Sequence, residues 1–352
     1  MRAAIFQGPG DLQVAEVPEP EAPPGGFLLR VHACAICGSD VRTYRHGSSH
    51  LATPWVIGHE IAGEVAVLGE GCEWPELGAR VQIATAIPCG RCRACGRGWQ
   101  TMCERIKAHG FHYPGGLAEL MAVNPEVIAM GGVNPIPDGL SYELAAVTEP
   151  LACVLNGQQL VDTQIGDHVV VIGGGPIGCL HVQMAKARGA TQVIQLEVNA
   201  ARLARAKEFG ADLLIDSSQQ DPRAAVREAT DGRGADVVIS ATPVAETQAL
   251  AVELASVCGR ISLFGGLPPS APTSVINTNT VHYKQLTMVG SFTSTPAQNA
   301  EALHMIATGR IDLSHFIDST IGLDDVVAGL GLLERGEALK VVVNPQSSTG
   351  GN

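Results

Sequence analysis

The chain has 352 residues, 45% hydrophobic and 16% charged, which describes an ordinary folded protein with enough apolar material for two cores. Its formal net charge of -12 argues against nucleic acid or an anionic membrane as partner, since either would be repelled at long range. No apolar run reaches the ~18 residues needed to span a bilayer, and Met1 to Gly10 lacks the parts of a secretory signal, so a cytoplasmic protein with no membrane association is expected.

Residues 1 to 33 alternate apolar and polar positions, as in MRAAIF and FLLRVHAC, with prolines at 18, 20, 23 and 24. That pattern predicts short antiparallel strands joined by proline-containing connections. From Val56 to Ile83 β-branched residues continue between glycines, so residues 1 to about 145 are expected to form a small β-rich unit.

After Glu149 the pattern changes to strands alternating with helical stretches, the signature of β-α-β units and a parallel sheet. Strands are expected at 168–172, 192–196, 213–215, 236–240, 260–264 and 286–290, with helices at 176–188, 199–209, 222–230 and 245–256. The fold class is therefore α/β, with a doubly wound parallel sheet of Rossmann type beside a second, β-rich domain.

The first strand runs into VVVIGGGPIG, in which Gly173, Gly175 and Gly178 stand at the spacing G-x-G-x-x-G. The first glycine suits a tight turn, the second a close approach to a pyrophosphate, and the third close helix–strand packing. Pro176 and Ile177 open the helix, whose free N–H groups and partial positive charge face the same anion. The second strand ends in Glu197, 19 residues past Gly178, where a carboxylate can accept ribose hydroxyls and repel a 2′-phosphate. The expected cofactor is NAD; Arg202 nearby is the residue that would favour a phosphate instead. The closing stretch KVVVNP, from Lys340 to Pro345, reads as a strand returning to the first domain, which makes that domain discontinuous: 1–150 with 291–352, around a dinucleotide-binding domain at 151–290. The tail from Gln346 to Asn352 is expected to be disordered.

Two groups of residues suggest metals. Cys89, Cys92, Cys95 and Cys103 form C-x2-C-x2-C-x7-C within a glycine-rich lobe at 88–104. Four converging thiolates close a tetrahedral zinc and leave no open position, so the expected role is structural; an iron–sulfur cluster is the rival reading of such spacing. The second group is dispersed: Cys37 in CGSD, His59 and Glu60 in GHE, and Glu149 in EPLAC. Cysteine, histidine and carboxylate are the ligand types of an open, catalytic zinc, while each of these residues also has an ordinary structural role available. Cys34, Cys72, Cys153, Cys179 and Cys258 fit no pattern and are expected to be small buried residues.

CGSD, GHE, the four-cysteine lobe, EPLAC and GGGPIG, in that order, resemble the zinc-dependent medium-chain alcohol dehydrogenases over nearly the whole chain. The glutamate of EPLAC makes the chain most similar to the sorbitol (L-iditol) and threonine dehydrogenase branch. The resemblance implies a GroES-like β-barrel catalytic domain, an active site in the cleft between it and the Rossmann domain, and a homodimer or homotetramer. It makes Cys37 and His59 ligands of a catalytic zinc, with Glu60 and Glu149 competing for the carboxylate role, and Ser39 the hydroxyl that takes the substrate's proton. The family often ends its proton relay in a histidine where this chain has Arg42, which cannot act as a base near neutral pH, so the relay would end in water or at His46. Phe292 and Thr293 are candidates to line the nicotinamide site. Polar residues near the implied cleft favour a polyol, sugar or cyclitol as substrate, with an amino alcohol such as threonine as runner-up. A non-catalytic zinc-lobed binding protein and a zinc-free NADPH reductase are the alternatives, the second opposed by the cysteines and Glu197.

Overall fold

The computed structural model describes residues 1–49 and 51–347, divided into two compact units. The first comprises Met1–Ala152, Thr293–Gly309 and the chain from Leu313 onward; the second comprises Cys153–Phe292 with Arg310–Asp312. Among the described residues no helix is long and apolar enough to cross a membrane.

In the first unit a hairpin of Arg2–Gly8 and Asp11–Glu16 forms a three-stranded sheet with Trp55–Val56. The larger sheet runs Val133–Pro135, Arg80–Ile83, Glu60–Leu68, Phe27–Ala35, Val341–Val343, Ser319–Ile321, and Leu120–Val123 also pairs with Phe27–Ala35. Its centre is the long pair Phe27–Ala35 and Glu60–Leu68, whose inward residues Phe27, Leu29, Val31, Ile61 and Val65 are buried in one core. The three valines of KVVV are fully buried and pair antiparallel with this strand, Val342 opposite Ala35 and Val343 opposite Cys34. The chain end is thus anchored by β-branched burial.

The second unit is a six-stranded, all-parallel sheet in the order Leu213–Asp216, Gln192–Glu197, His168–Ile172, Ala235–Ser240, Ala255–Leu263, Thr287–Gly290. The chain reverses direction across the sheet at His168–Ile172, the switch point where doubly wound sheets bind ligands. Alternate residues of that strand enter different cores: Val170 and Ile172 pack with Ile194, Leu196 and Val238, whereas Val169 and Val171 pack with Val193, Val237 and Ile239. A strand buried on both faces reads as an unbroken apolar run, which is why VVVI carried no alternation.

Two expected elements differ. The helix expected over 199–209 is helical over Ala200–Ala206, tightens to a 3-10 turn at Lys207–Phe209, and stops at Gly210 in the left-handed region. The strand expected from 260 begins at Ala255, and the preceding helix ends at Leu254; a register shift lets Ala255 and Arg260 both pair with the neighbouring strand, with Cys258 at φ 58 in the irregular stretch. Not all of the cysteines outside the two metal groups are buried: Cys34 and Cys179 are, Cys72 and Cys153 are half-buried, and Cys258 is exposed. The expectation of a disordered tail also fails at Gln346, whose side-chain amide donates to the carbonyls of Val31 (3.0 Å) and Glu119 (2.9 Å); residues 348–352 lie outside the described residues.

His181 sits in the interior of the helix Pro176–Ala187 with its ring edge-on to Phe264, centroids 4.6 Å apart, and Nε2 has no hydrogen-bond partner among the described residues. Burial pushes its pKa down to about 3. Above pH 6.5 the ring is neutral folded or unfolded; as pH falls below that value the unfolded chain gains the proton and the folded chain does not. Stability is therefore expected to drop by about 2 kcal/mol from this group between pH 6.5 and 5. Denaturant unfolding across that window should show a steeper acid loss for the wild type than for His181→Leu; parallel slopes would remove His181 from the account.

Candidate active site and metal centres

The dispersed constellation converges because of strand register. Glu60 pairs with Ala35, so the turn that carries His59 lies beside the turn that carries Cys37, two residues beyond Ala35. One ligand atom each from Cys37, His59 and Glu60 falls in a group with every pair within 4.8 Å. Cys37 precedes the helix Gly38–His46, which delivers two further groups to His59. Ser39 Oγ is 3.3 Å from His59 Nε2, and Asp40 Oδ1 is 3.3 Å from His59 Nδ1. The other oxygen of Asp40 accepts from the Cys37 backbone N–H at 2.8 Å, which ties the carboxylate to the turn. A carboxylate facing Nδ1 favours the tautomer that leaves the Nε2 lone pair for a metal. His59 Nδ1 lies at ion-pair distance without hydrogen-bond alignment. Burial pulls the His59 pKa down, yet Asp40 and Cys37 outweigh it and hold it well above the usual histidine range. Such an excess of negative donors around one imidazole suits a cation. Phe111 covers the ring, with centroids 5.7 Å apart.

Glu60 is fully buried, and both of its oxygens accept from Lys340 Nζ, at 2.8 and 2.9 Å. Lys340, also buried, donates to the Ile36 carbonyl at 3.1 Å. Burial pushes the Glu60 carboxyl up despite Lys340, and Glu149 pushes it further; Lys340 is held above the usual lysine range because Glu60 and Cys37 outweigh its own burial. Glu149 is buried in the first turn of Thr148–Leu160 and acts on Glu60 electrostatically, but it is not in the three-residue donor group. Sequence reasoning missed Asp40 and Lys340. Asp40 stood in CGSD, three residues after Cys37, and Lys340 directly before three valines, where a lysine must be buried and therefore paired.

Around the second metal group, Cys92 Sγ lies 3.5 Å from Cys95 Sγ and 3.8 Å from Cys103 Sγ. A tetrahedron of sulfurs at a zinc–sulfur distance of about 2.3 Å has edges of about 3.8 Å, so the donors fit a closed zinc site. Backbone N–H groups of Cys89 and Arg105 donate to Cys103 Sγ at 3.2 and 3.4 Å, as suits a thiolate. The lobe's apolar cluster consists mainly of the cysteines themselves, with Ala94 and Ile106. Backbone donors pull Cys92 down to about 6, whereas burial and its sulfur neighbours push Cys95 up to about 12. All four can ionise together only with a cation among them.

In the second unit the glycine turn has the form its spacing predicted. Gly173 adopts φ 118, and a Cβ at Gly178 would stand 2.0 Å from the Gly173 carbonyl oxygen, so helix and strand require both glycines. A Cβ at Gly175 would meet nothing within 4 Å: the turn is open there, beside partly exposed Pro176 and Ile177. Glu197 Oε2 accepts from Gly174 N–H at 2.7 Å, and Oε1 from Val198 and Asn199 N–H at 2.7 and 2.9 Å. Three of roughly four acceptor positions are thereby used, which leaves room for about one ribose hydroxyl rather than the two expected. Arg202 is half-buried in the following helix, Phe292 is 62% exposed, and Thr293 has φ 50. Arg42 and His46 are both exposed on the helix of Ser39; seven residues, or about 10 Å of helix, separate Ser39 from His46, too far for direct proton transfer.

Residues 23–138 match the family described as alcohol dehydrogenase GroES-like domain, and residues 176–308 match zinc-binding dehydrogenase. The chain is 32% identical to a sorbitol dehydrogenase of Halalkalibacterium halodurans over 340 residues, 96% of this chain and 97% of that one. It is 30% identical to an L-threonine 3-dehydrogenase of Rhizobium rhizogenes, with 98% of each chain covered. A Sinorhizobium meliloti 1021 protein solved bound to NADP superposes with TM-score 0.90 at 32% identity, over 98% of this chain and 99% of that one. The chain belongs to the zinc-dependent medium-chain alcohol dehydrogenase superfamily, and it is an oxidoreductase with a GroES-like and a Rossmann domain.

Proposed function

We propose that the protein oxidises a secondary alcohol of a polyol, sugar or cyclitol to the ketone, reversibly, with NAD as hydride acceptor. The observation that carries this reading is the donor group of Cys37, His59 and Glu60 with Ser39 and Asp40 set around the same imidazole. Cys37 and His59 would hold a catalytic zinc, joined by Glu60 or Glu149; bound there, the ion supplies Lewis acidity that makes a substrate hydroxyl easier to deprotonate. Asp40 keeps the His59 tautomer, and Lys340 donates to both oxygens of Glu60, each of which keeps a second acceptor position for an ion. Glu149, which acts electrostatically on both Glu60 and Lys340, is the alternate carboxylate. Ser39 Oγ takes the hydroxyl proton and passes it to water, since neither Arg42 nor His46 can receive it directly. The open face at Gly175 and the helix that begins at Pro176 would hold the dinucleotide pyrophosphate. Phe292 and Thr293 would line the nicotinamide.

Screening sorbitol, other polyols, cyclitols and L-threonine for NADH production tests the substrate. The expected result is turnover of one or more polyols or cyclitols; turnover confined to L-threonine, favoured by similarity to the Rhizobium enzymes, or to simple primary alcohols would refute it. Glu197 predicts at least about tenfold higher kcat/KM with NAD than with NADP, because a 2′-phosphate would meet a carboxylate already fixed by three N–H groups. Glu197→Ser should narrow that ratio, whereas a wild-type preference for NADP, as the Sinorhizobium structure could suggest, would overturn the assignment. The same reading expects a homodimer or homotetramer.

A further inference from the structure

On the second unit, at the N-terminal ends of the strands Ala235–Ser240 and Ala255–Leu263, a cavity of about 360 Å³ is lined by four cations, Arg223, Arg227, Arg233 and Lys284, and one carboxylate, Glu253. The concentration of positive charge is unexpected in a chain of net charge -12. The four cations are not equally compensated. Arg223 pairs with Glu253 and, at 3.4 Å, with Asp221, so its charge is spent locally. Arg233 reaches Asp231 only at 3.5 Å and otherwise donates to the Thr230 carbonyl. Lys284 Nζ donates to the Ala255 carbonyl at 2.6 Å, a neutral partner. Arg227 forms no ion pair among the described residues. Burial and then the nearby Arg227 charge pull Lys284 below the usual lysine range, so the pair repel one another. The inner wall of the cavity is apolar, made by buried Val226 and Leu254.

Like charges held together around a concave space, of which Arg227 and Lys284 have no acid partner among the described residues, are stabilised by an external anion that accepts from several donors at once. Guanidinium groups donate in a planar fork that matches phosphate oxygens, and an ammonium adds a point charge. The volume lies near the lower end for small-molecule pockets, which suits a compact ligand rather than a polymer. We propose that this cavity binds a small phosphate-type polyanion, with Arg227, Lys284 and Arg233 as its donors. The site lies within the second unit and uses none of the residues assigned to zinc or to the dinucleotide turn.

Isothermal titration with inorganic pyrophosphate at constant ionic strength tests it, with NADH present so that the glycine turn is filled. The wild type should show one saturable site. Arg227→Gln combined with Lys284→Gln should weaken binding at least tenfold, and Glu253→Gln, which removes the one lining carboxylate and leaves Arg223 only its 3.4 Å contact with Asp221, should tighten it. These side chains are exposed or half-buried, so melting temperature and kcat should stay near wild-type values and show that the variants fold. Absence of saturable binding, or equal affinity in the wild type and the double variant, would overturn the proposal; the second result would place the anion elsewhere on the chain.

Discussion

Cys37→Ser is expected to lower the zinc content from two ions per chain to one and to reduce turnover by at least about a thousand-fold, the equivalent of about 4 kcal/mol. A serine hydroxyl in place of the thiolate removes the soft, charged donor of the group that also contains His59 and Glu60. The fold should survive, because Cys37 lies at the beginning of a helix already held by Asp40 and by the packed strand before it. Metal analysis by mass spectrometry alongside steady-state kinetics reads both effects. Unchanged metal content, or activity within a few-fold of wild type, would show that the three residues do not form the catalytic zinc site. Cys95→Ser supplies the contrast. It should also lose one ion, but with a lower melting temperature, because its lobe has almost no apolar core besides the cysteines.

The second large effect concerns Lys340. Removing its ammonium as Lys340→Met leaves Glu60 buried without its cation, and loss of one partner of a buried ion pair costs about 3–5 kcal/mol. Urea unfolding should show that loss for the single variant, and the double variant Lys340→Met/Glu60→Gln should recover a substantial part of it, because a neutral amide needs no counter-charge. If the two substitutions proved additive, Lys340 and Glu60 would be energetically independent despite their 2.8 Å contact. A single variant within about 1 kcal/mol of wild type would show that Glu60 finds other compensation, for instance by taking up a proton.

The Rossmann unit was legible to within a few residues because its signals are local. Buried parallel strands appear as unbroken apolar runs, and the glycine turn has a spacing set by steric contact, as the Gly173 and Gly178 positions show. Where local signals conflict, the tertiary structure prevails: the helix expected to reach Ser256 gives way at Ala255 to the strand, because pairing with Ala235 captures that backbone. Gln346 shows the same limit at the chain end, since a Ser- and Gly-rich composition says nothing of two carbonyls that the fold happens to present to it.

By itself the sequence determined the identity of the candidate ligands, the closed four-cysteine lobe and the acidic end of the second dinucleotide strand. These follow from residue type and short spacing, which act over a few bonds. The tertiary structure decided which dispersed residues meet. The pairing of Glu60 with Ala35, and of Val342 with Ala35 on the strand's other side, sets Cys37, His59, Glu60 and Lys340 around one point although 303 positions separate the first from the last. Register between distant strands is fixed by which faces are buried, a property of the whole sheet, and it makes Glu60 a lysine-bound carboxylate rather than a free one.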